Sequence, residues 1–435
     1  METQLVNQVV NSGDTAWMLV SSALVLLMTP GLAFFYAGMV RAKNVVSTLF
    51  QSFSAVAVVG VLWPIIGYSL VFSGDSYGLI GNLDWLFLKN VGISPNPDFG
   101  PTIPHLLFMS FQMMFAVITP ALITGSFAER INFKAWVPFM ALWVLFVYCP
   151  IAHWVWGTNG WIAKLGGLDF AGGLVVHMSA GFSALTASVF LGRRWDYRQA
   201  PTKGYNIALV SIGTALLLVG WFGFNAGSAL AANGIAAQAF ATTFFGCAAS
   251  FLSWMVIDWV LEKPTLLGSC VGAVAGLVAI TPAAGYVSVA SALFIGLSAG
   301  FVCNFSVRIF KSKFQIVDDT LDVFACHGIG GLLGTVLTGV FASKAVNPSI
   351  SNGLLYGETK VFVANLTAAA VVAAFSLAAT AVLFLVVRQF VSLRVPREME
   401  ELGLDSLHGE EILSFDEVFE SKRFKGVYDL PARTV

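Results

Sequence analysis

Long apolar segments recur along almost the whole chain, and they constrain its fold more than any other feature. Eleven runs, separated by charged residues or by Gly, Pro and Asn, span residues 14–40, 48–72, 104–128, 135–156, 170–192, 204–228, 237–261, 265–283, 287–308, 321–343 and 358–388. A helix needs about 20 mainly apolar residues to cross a hydrocarbon core roughly 30 Å thick. With 57% hydrophobic and 11% charged residues, the chain is too apolar for a solvated globular domain. We expect an all-α polytopic membrane protein with eleven transmembrane helices.

The basic residues between these runs predict how the chain is oriented. Twelve fall in the loops at one end, namely Arg41, Lys43, Arg130, Lys134, Arg193, Arg194, Arg198, Lys203, Lys263, Arg308, Lys311 and Lys313. Only Lys89, Lys164, Lys344 and Lys360 fall at the other end. Because cytoplasmic loops carry the excess of Lys and Arg, we expect the N-terminus outside and the C-terminus inside a cell membrane, either a bacterial inner membrane or a plasma membrane.

The remaining composition excludes several classes of partner. The net charge of −1 and the lack of basic runs argue against nucleic acid and leave the lipid bilayer as the main surroundings. Five cysteines are scattered singly through apolar runs, without metal-ligand or redox spacing, so we expect small core residues and no metal. We divide the chain into a transmembrane domain, 1–393, and a cytoplasmic tail, 394–435. Within the tail, 414–420 is either a short amphipathic helix or a disordered end.

The two halves of the apolar region resemble each other. Residues 31–38, Gly-Leu-Ala-Phe-Phe-Tyr-Ala-Gly, align with residues 220–227, Gly-Trp-Phe-Gly-Phe-Asn-Ala-Gly, five spans later. Because five is odd, the halves must be inverted relative to each other, and such repeats place a substrate path at their interface near mid-membrane. We expect a five-plus-five inverted repeat with an extra eleventh helix.

Two segments place a histidine eight residues after an aspartate. They run from Asp169 to His177 and from Asp319 to His327. On a helix that rises about 1.5 Å per residue, each imidazole lies roughly 12 Å from the helix start, near mid-depth of a core about 30 Å thick. Ionisable residues at that depth usually face a pathway, which predicts a functional site. The alternative is a pair of buried histidines satisfied by helix neighbours.

The two aspartates have a simpler interpretation. Each can cap the free N–H groups of the first helical turn. By the inverted topology, Asp169 lies near the outer surface, where its charge also helps to attract a cation, and Asp319 lies near the inner surface.

Aromatic and hydroxyl side chains predict a cation site at the outer end. Phe111 and Phe115 share one helix face, as do Phe224 and Ser228, and Trp156 ends another run. A lone Phe pair is usually core or lipid-facing, so the hypothesis requires these groups to converge. Aromatic faces attract cations, and a hydroxyl oxygen accepts the hydrogen bonds of an N–H cation.

Moving such a cation onward intact is the difficulty. An unpaired charge in a low-dielectric tunnel costs on the order of tens of kcal/mol in the Born limit. A protonated substrate avoids this cost by losing its proton, because desolvation disfavours the charged form, whereas potassium has no proton to lose. Neutral imidazoles suit the path beyond, since each ring has one donor and one acceptor. His177 and His327 can meet ring to ring as a proton relay.

Several motifs together resemble those of the ammonium transporter (Amt/Mep) family over nearly the full chain. They lie at residues 29–38, 127–130 (Phe-Ala-Glu-Arg), 150–153 (Pro-Ile-Ala-His), 169–177, 220–228, 281–285 (Thr-Pro-Ala-Ala-Gly) and 322–328 (Asp-Val-Phe-Ala-Cys-His-Gly). The resemblance implies an eleven-helix fold, a homotrimer and one pore in each subunit.

The resemblance also implies roles for individual residues at the outer end. By motif position, Phe115, Trp156 and Ser228 are similar to the family's outer cation site, and Phe111 lies nearby. Asp169 is similar to the aspartate that supports this site.

Further inward, the same resemblance identifies a gate, a pore lining and a regulatory segment. Phe115 and Phe224 are similar to the family's stacked gate, and His177 and His327 to its twin-histidine pore. Residues 403–410 resemble the tail segment through which a PII-type signalling protein regulates relatives.

Three functions are compared. The leading one is ammonium uptake: capture outside, deprotonation near the phenylalanines and passage of ammonia, with the proton either returned or carried across by the histidines. The second is an ammonium sensor that signals through the tail. The third is a redox enzyme with a haem between the histidines, which the family resemblance argues against. We expect a transporter, not an enzyme, with no cofactor and no metal.

Overall fold

Helices make up nearly all of the computed structural model, which describes residues 9–197, 204–314 and 317–410. The α-helices are α1 (Ser12–Met39), α2 (Val45–Leu62), α3 (Tyr68–Phe72), α4 (His105–Ile123), α5 (Phe133–Trp143), α6 (Cys149–Trp156), α7 (Trp161–Leu165), α8 (Ser179–Leu191), α9 (Ile207–Gly227), α10 (Gly234–Leu261), α11 (Leu266–Ile280), α12 (Val289–Lys313), α13 (Gly330–Phe341), α14 (Lys360–Val387) and α15 (Arg397–Leu402). Two short strands, β1 (Pro95–Asn96) and β2 (Gly100–Pro104), pair antiparallel. The predicted 414–420 segment lies outside the described residues.

Ten helical segments in the described ranges are long and apolar enough to cross a membrane. They are Ser12–Met39, Ala42–Phe72, His105–Ser126, Phe133–Leu165, Gly173–Leu191, Ile207–Gly227, Gly234–Leu261, Val289–Lys313, Phe324–Phe341 and Lys360–Val387. Helix α11 is apolar but has only 15 residues, which makes it about 22 Å long, against a hydrocarbon core of roughly 30 Å. The predicted span 265–283 is therefore present as a helix that is shorter than the ten membrane-crossing segments.

Polar side chains just before several helices explain where these helices begin. The Asn206 side chain accepts hydrogen bonds from the N–H groups of Ala208 and Leu209 before α9. Asn233 does the same before α10, and the Thr265 hydroxyl accepts from the N–H of Gly268 before α11. Such caps satisfy N–H groups that have no partner within the helix.

Helices α1 and α9 pack antiparallel through small residues. The Trp17 indole, near the start of α1, donates to the Ala226 carbonyl near the end of α9. At the other end, the Asn206 N–H donates to the Gly38 carbonyl. A Cβ on Gly220 would lie 2.2 Å from Cγ of Met28, so only glycine permits this approach. The two helices that contain the predicted equivalent segments therefore run in opposite directions, as an inverted repeat requires.

A fully buried arginine holds the segment that leads into the second histidine helix. Arg130 donates from Nη2 to the carbonyls of Asp318 (2.6 Å) and Ser126 (3.1 Å), and from Nη1 to the Thr320 hydroxyl (2.8 Å). These bonds satisfy a buried charge that would otherwise be costly. They fix residues 318–320 directly before the π-helical turn Phe324–Ile329, which contains His327.

The described part of the tail docks on the start of α2. The Asp405 carboxylate accepts from the backbone N–H groups of Val46 (3.1 Å) and Ser47 (2.8 Å), so it caps α2 from a distant part of the chain. The Leu404 N–H donates to the Asn44 side chain. Glu400, which is buried, pairs with Arg394 at 2.6 Å. The tail is therefore joined to the end of the bundle where α1 finishes.

Candidate functional site

A cavity of about 470 Å³, here called the Trp156 cavity, lies at the end of the bundle where α1 begins and α9 ends. Its lining combines aromatic rings with polar and acidic side chains: Phe72, Asp98, Phe99, Phe108, Gln112, Phe115, Val155, Trp156, Asp169, Phe170, Ser228, Ala229, Leu230, Asn233, Ile235, Tyr286, Asn347 and Ser349. The structure thus brings together four of the predicted residues, Phe115, Trp156, Asp169 and Ser228, from four separate segments.

The predicted phenylalanines form a continuous set of ring contacts at the floor of this cavity. Phe115 meets Trp156 edge-on, with ring centroids 5.8 Å apart, and stacks on Phe224 at 4.2 Å with an interplanar angle of 28°. Phe111 contacts Phe115 edge-on at 4.9 Å, is fully buried and is not part of the cavity lining. The geometry therefore places Phe111 behind the cavity and the Phe115–Phe224 stack beneath it.

Two hydrogen bonds orient the polar groups of the cavity. The Trp156 indole N–H donates to the Asp169 carbonyl at 3.1 Å, which fixes the ring against the loop before the first histidine. The Ser228 hydroxyl donates to the Phe224 carbonyl at 2.8 Å. Because a hydroxyl has one hydrogen and two lone pairs, Ser228 keeps acceptor capacity for a donor in the cavity.

Gln112 is a cavity residue that sequence reasoning did not select. Its side-chain oxygen Oε1 is buried and has no hydrogen-bond partner among the described residues, although the residue lines the Trp156 cavity. A buried amide oxygen without a partner is costly, and an N–H donor in the cavity would remove that cost. The sequence signal was present, since Gln112 is the one amide within the apolar α4 helix.

Asp169 supports the cavity through the backbone. Its carboxylate accepts four N–H hydrogen bonds, from Gly172 (2.8 Å), Gly173 (2.6 Å), Leu174 (2.8 Å) and Val175 (3.2 Å). Burial raises the pKa of this carboxyl, and the four N–H donors oppose that effect. The side chain is 6% exposed, so its geometry is that of a cap at the edge of the cavity.

The two histidines meet below the phenylalanine stack. Their Nδ1 atoms are 3.3 Å apart and their ring centroids 5.3 Å apart, with both side chains buried. One Nδ1 must donate and the other accept, which couples the tautomers of the two rings. His177 Nε2 is buried without a partner among the described residues, and its ring is 6.0 Å from the Phe224 ring.

Each histidine lies in a π-helical turn rather than the α-helix assumed from the sequence. The turns are Gly173–Met178 and Phe324–Ile329. Such turns are rare and occur frequently at functional sites. Trp221, to which no role was given from the sequence, stacks on His177 at 5.4 Å and is held by a hydrogen bond from its indole N–H to the Thr281 hydroxyl.

Glycines four residues after each histidine allow the two helices to touch. A Cβ on Gly181 would lie 2.1 Å from the Gly328 backbone nitrogen, and one on Gly331 would lie 3.1 Å from the His177 Cβ. The helices run antiparallel there, because Gly173 lies beside Gly331 while Gly181 lies beside Gly328. This close crossing is what brings the imidazoles into contact.

A second cavity, here called the Asp319 cavity, has a volume of about 570 Å³ and lies at the opposite end of the bundle. Its lining includes Met39 at the end of α1 and the acids Asp258, Glu262, Asp318, Asp319 and Asp322. The two histidines lie in segments that begin at opposite cavities. The His177 segment begins at Asp169, in the lining of the Trp156 cavity, and the His327 segment begins at Asp319, in the lining of the Asp319 cavity. Asp319 accepts a hydrogen bond from the Phe324 N–H at 2.7 Å, so it caps the second π-helical turn.

Comparison with known sequences shows the family. The model of the Ammonium Transporter Family matches residues 16–412. An ammonium transporter of Bacillus subtilis is 48% identical over 401 residues, which is 92% of this chain and 98% of the relative. The ammonium transporter Amt1 of Archaeoglobus fulgidus is 46% identical over 402 residues, covering 92% and 99% of the two chains.

Comparison with solved structures gives the same result as comparison with known sequences. Mep2 of Saccharomyces cerevisiae superposes with a TM-score of 0.84 at 36% identity, over 91% of this chain and 92% of that one. A protein described as a sensor Amt protein has a TM-score of 0.84 at 27% identity, over 93% and 99% of the two chains. The chain therefore belongs to the Ammonium Transporter Family and is a multi-pass protein of the cell membrane.

Proposed function

We propose that this protein transports ammonium by capturing it in the Trp156 cavity, removing its proton at the phenylalanine stack and conducting ammonia past the histidine pair. The observation that carries the proposal is the order of the groups along one line. Trp156 and Ser228 come first, then the Phe115–Phe224 stack at 4.2 Å, then His177 and His327 with Nδ1 atoms 3.3 Å apart. Each step matches what ammonium requires.

Capture depends on the mixed lining of the cavity. The faces of Phe115 and Trp156 attract a small cation, more strongly once water is partly removed. Ser228 and Gln112 supply acceptor oxygens for N–H groups. Potassium is attracted by the rings but has no hydrogen to donate, so this lining favours ammonium.

Deprotonation follows from what lies beneath the cavity. The segments that supply the stack and the histidines, His105–Ser126, Cys149–Trp156, Gly173–Leu191, Ile207–Gly227 and Phe324–Phe341, contain no Asp, Glu, Lys or Arg. An unpaired ion there would face a cost on the order of tens of kcal/mol in the Born limit. Ammonium lowers this cost by releasing H⁺ and continuing as neutral ammonia.

The imidazole pair suits a neutral, hydrogen-bonding substrate. Its Nδ1–Nδ1 contact leaves one ring to present a donor and the other an acceptor at Nε2. When the free Nε2 of one ring accepts H⁺, the shared Nδ1 proton moves to the other ring, and that ring releases its own Nε2 proton. This reverses the two tautomers and gives a path for H⁺ beside the path for ammonia. We assign the pair both functions, pore lining and proton relay.

The expected arrangement in the membrane completes the proposal. The basic residues at the Asp319 end favour a cytoplasmic location for that end, which places the Trp156 cavity outside the cell. We count eleven spans, of which α11 is the short one. The family further suggests a homotrimer with one pore per subunit. The docked segment 403–410 is the expected contact for a PII-type regulator. Chemical cross-linking and co-purification with such a regulator test these two assemblies.

Transport in liposomes tests the proposed function. Purified protein is reconstituted, an ammonium gradient is applied, and uptake and net current are recorded together on a solid-supported membrane. We expect ammonium-dependent flux above that of empty liposomes and little flux of potassium. A current that accompanies uptake shows that H⁺ also crosses, whereas uptake without current shows conduction of ammonia alone. Equal potassium and ammonium fluxes contradict the proposal.

A sensor function is a second candidate, favoured by one observation. The tail is joined to the bundle through Asp405 at the start of α2 and through Glu400, so a change at the bundle end has a direct route to the tail. Deletion of residues 394–435 separates the two functions. Loss of an ammonium-dependent cellular response with uptake unchanged supports the sensor, and loss of both supports a structural role for the tail.

A further inference from the structure

The two helix-capping aspartates have different hydrogen-bond environments. Both oxygens of Asp169 are occupied, each by two backbone N–H groups. In Asp319, Oδ2 accepts from the Phe324 N–H at 2.7 Å, while Oδ1 is buried and has no hydrogen-bond partner among the described residues. Both carboxylate oxygens of Asp169 therefore accept capping hydrogen bonds, whereas only one oxygen of Asp319, Oδ2, does so.

Asp319 also differs from the other acids around it in having no ion pair within the described part of the chain. The other acids that line the Asp319 cavity are all paired with bases: Asp258 and Glu262 with Arg308 at 2.8 and 2.6 Å, Asp318 with Arg194 at 2.9 Å, and Asp322 with Lys311 at 2.5 Å. Asp319 is the one acid of this lining without an ion pair to a described residue. A carboxyl that is neither paired nor fully hydrogen-bonded is free to bind a proton.

The surroundings set the proton affinity of this carboxyl. Burial, and then the negative charge of Asp322, raise the pKa of Asp319 to about 7, against the opposing effects of the Phe324 and Val323 N–H groups and of Lys311. Tyr36 of α1 and Cys326 also lie within electrostatic reach of the carboxyl. Near neutral pH, Asp319 therefore exists in both protonation states.

Position completes the argument. Asp319 precedes His327 by eight residues and caps, from outside it, the turn that contains this histidine, so we expect water to bridge the two side chains. The cavity of about 570 Å³ is large enough for several water molecules. The Asp319 carboxyl lines this cavity, so a proton or an ammonia molecule that enters the cavity can reach it.

We propose that Asp319 is the proton-exchange group at the inner end of the pathway, which protonates ammonia as it leaves the histidine pair. This inference rests on the proposed function. In the step, the O–H bond of the neutral carboxyl breaks and an N–H bond forms, which gives ammonium and the Asp319 carboxylate. The carboxylate then takes H⁺ from cavity water that is supplied by the histidine relay. Asp319 thus returns to the substrate the proton removed at the other end.

Asp319→Asn tests the proposal, because the asparagine oxygen can still accept the Phe324 N–H and cap the turn while the side chain no longer titrates. Current and uptake are measured in liposomes while pH on the Asp319 side is varied from 5.5 to 8.5. We expect a wild-type inflection near the pKa of about 7. In Asp319→Asn we expect no inflection and a current lower by about tenfold. This loss is smaller than the roughly 100-fold effect of removing a general acid, since water replaces part of the transfer.

Two further variants separate chemistry from structure. Asp319→Glu keeps a titratable carboxyl and is expected to retain the inflection. Glu262→Gln removes one negative charge from the same lining at an exposed, paired position and is expected to behave as wild type. A current in Asp319→Asn with the wild-type inflection overturns the proposal, as does a flat profile in Asp319→Glu. If wild-type protein shows no ammonium flux, the proposed function fails instead, so the two failures are distinguishable.

Discussion

The Nδ1 atoms of His177 and His327 face each other across 3.3 Å, although 150 residues separate them in the chain. This contact joins one nitrogen of each ring, so it couples the two tautomers, and it leaves His177 Nε2 buried without a described partner. Two histidines whose rings served only to fill space would not require such an alignment. The geometry therefore favours a shared proton over simple packing.

A carboxylate in place of the first histidine should admit intact cations. His177→Asp places a negative charge beside the Phe115–Phe224 stack, where it offsets part of the dehydration cost of potassium. An offset of only about 1.4 kcal/mol raises ion occupancy tenfold. We expect potassium currents in liposomes containing this variant and a loss of ammonium selectivity. His177→Asn, which has the same shape without the charge, is the control, and potassium conduction in that variant as well would contradict the electrostatic explanation.

Removing the unpartnered amide oxygen of Gln112 should weaken capture. If Gln112 accepts a hydrogen bond from ammonium, Gln112→Leu loses an interaction with a charged donor worth about 1.5–3 kcal/mol. This energy corresponds to an increase of about tenfold or more in the half-saturating ammonium concentration. Met113→Leu, one position along α4 and outside the cavity lining, is the matched control. An unchanged half-saturating concentration in Gln112→Leu would remove Gln112 from the site.

The crossing of the two histidine helices depends on glycine at position 181. An added Cβ would lie 2.1 Å from the Gly328 nitrogen, a backbone atom that cannot move alone. Overpacking of this kind typically costs about 1–3 kcal/mol, so Gly181→Ala should lower the melting temperature in detergent and reduce uptake. Gly60→Ala, in the interior of α2 with open space around the new Cβ, should melt at the wild-type temperature or slightly above it.

The sequence predicted the apolar helices and four residues that line the Trp156 cavity, but not Gln112 or the contacts that bring these residues together. Apolar runs and the Asp-to-His spacing are visible because hydrophobic length and residue type are local properties. The glycines at positions 181 and 331 carry no such signal, since their importance depends on a helix more than a hundred residues away. The π-helical turns at His177 and His327 depend on tertiary packing in the same way.

Charged residues show the same limit of sequence reasoning. Arg130 and Arg194 were interpreted only as basic residues that mark one side of the membrane. In the structure both are buried, and they bind the segment before the second histidine through Asp318. A count of charges predicts which end of a helix is basic, whereas the three-dimensional arrangement of their partners decides whether a charge is solvated or forms part of the core.

Glu129, whose side chain is fully buried, should make stability depend on pH only in the acid range. Burial alone would raise the pKa of this carboxyl, but hydrogen bonds and charge from Arg41, at 2.6 Å, and the charge of Arg194 outweigh it and hold the pKa below its ordinary value. A lowered pKa means that the stabilisation is fully present above the unfolded value of about 4.3 and is lost as pH falls further. Any change in the melting temperature of the wild-type protein in detergent between pH 7 and 5 should therefore come from groups other than Glu129.

Glu129→Gln separates this ion pair from other acid effects. The variant removes one of two carboxylate partners from Arg41 and from Arg194, which keep their ion pairs with Asp196 and Asp318. The cost should therefore be below the roughly 3–5 kcal/mol of breaking an isolated buried pair. We expect a lower melting temperature at pH 7 and a difference from wild type that narrows below about pH 4, where the wild-type carboxylate is itself protonated. Glu398→Gln, at an exposed position of α15, should differ little from wild type at any pH. A gap between Glu129→Gln and wild type that stays constant down to pH 3 would show that Glu129 stabilises the fold by shape rather than by charge.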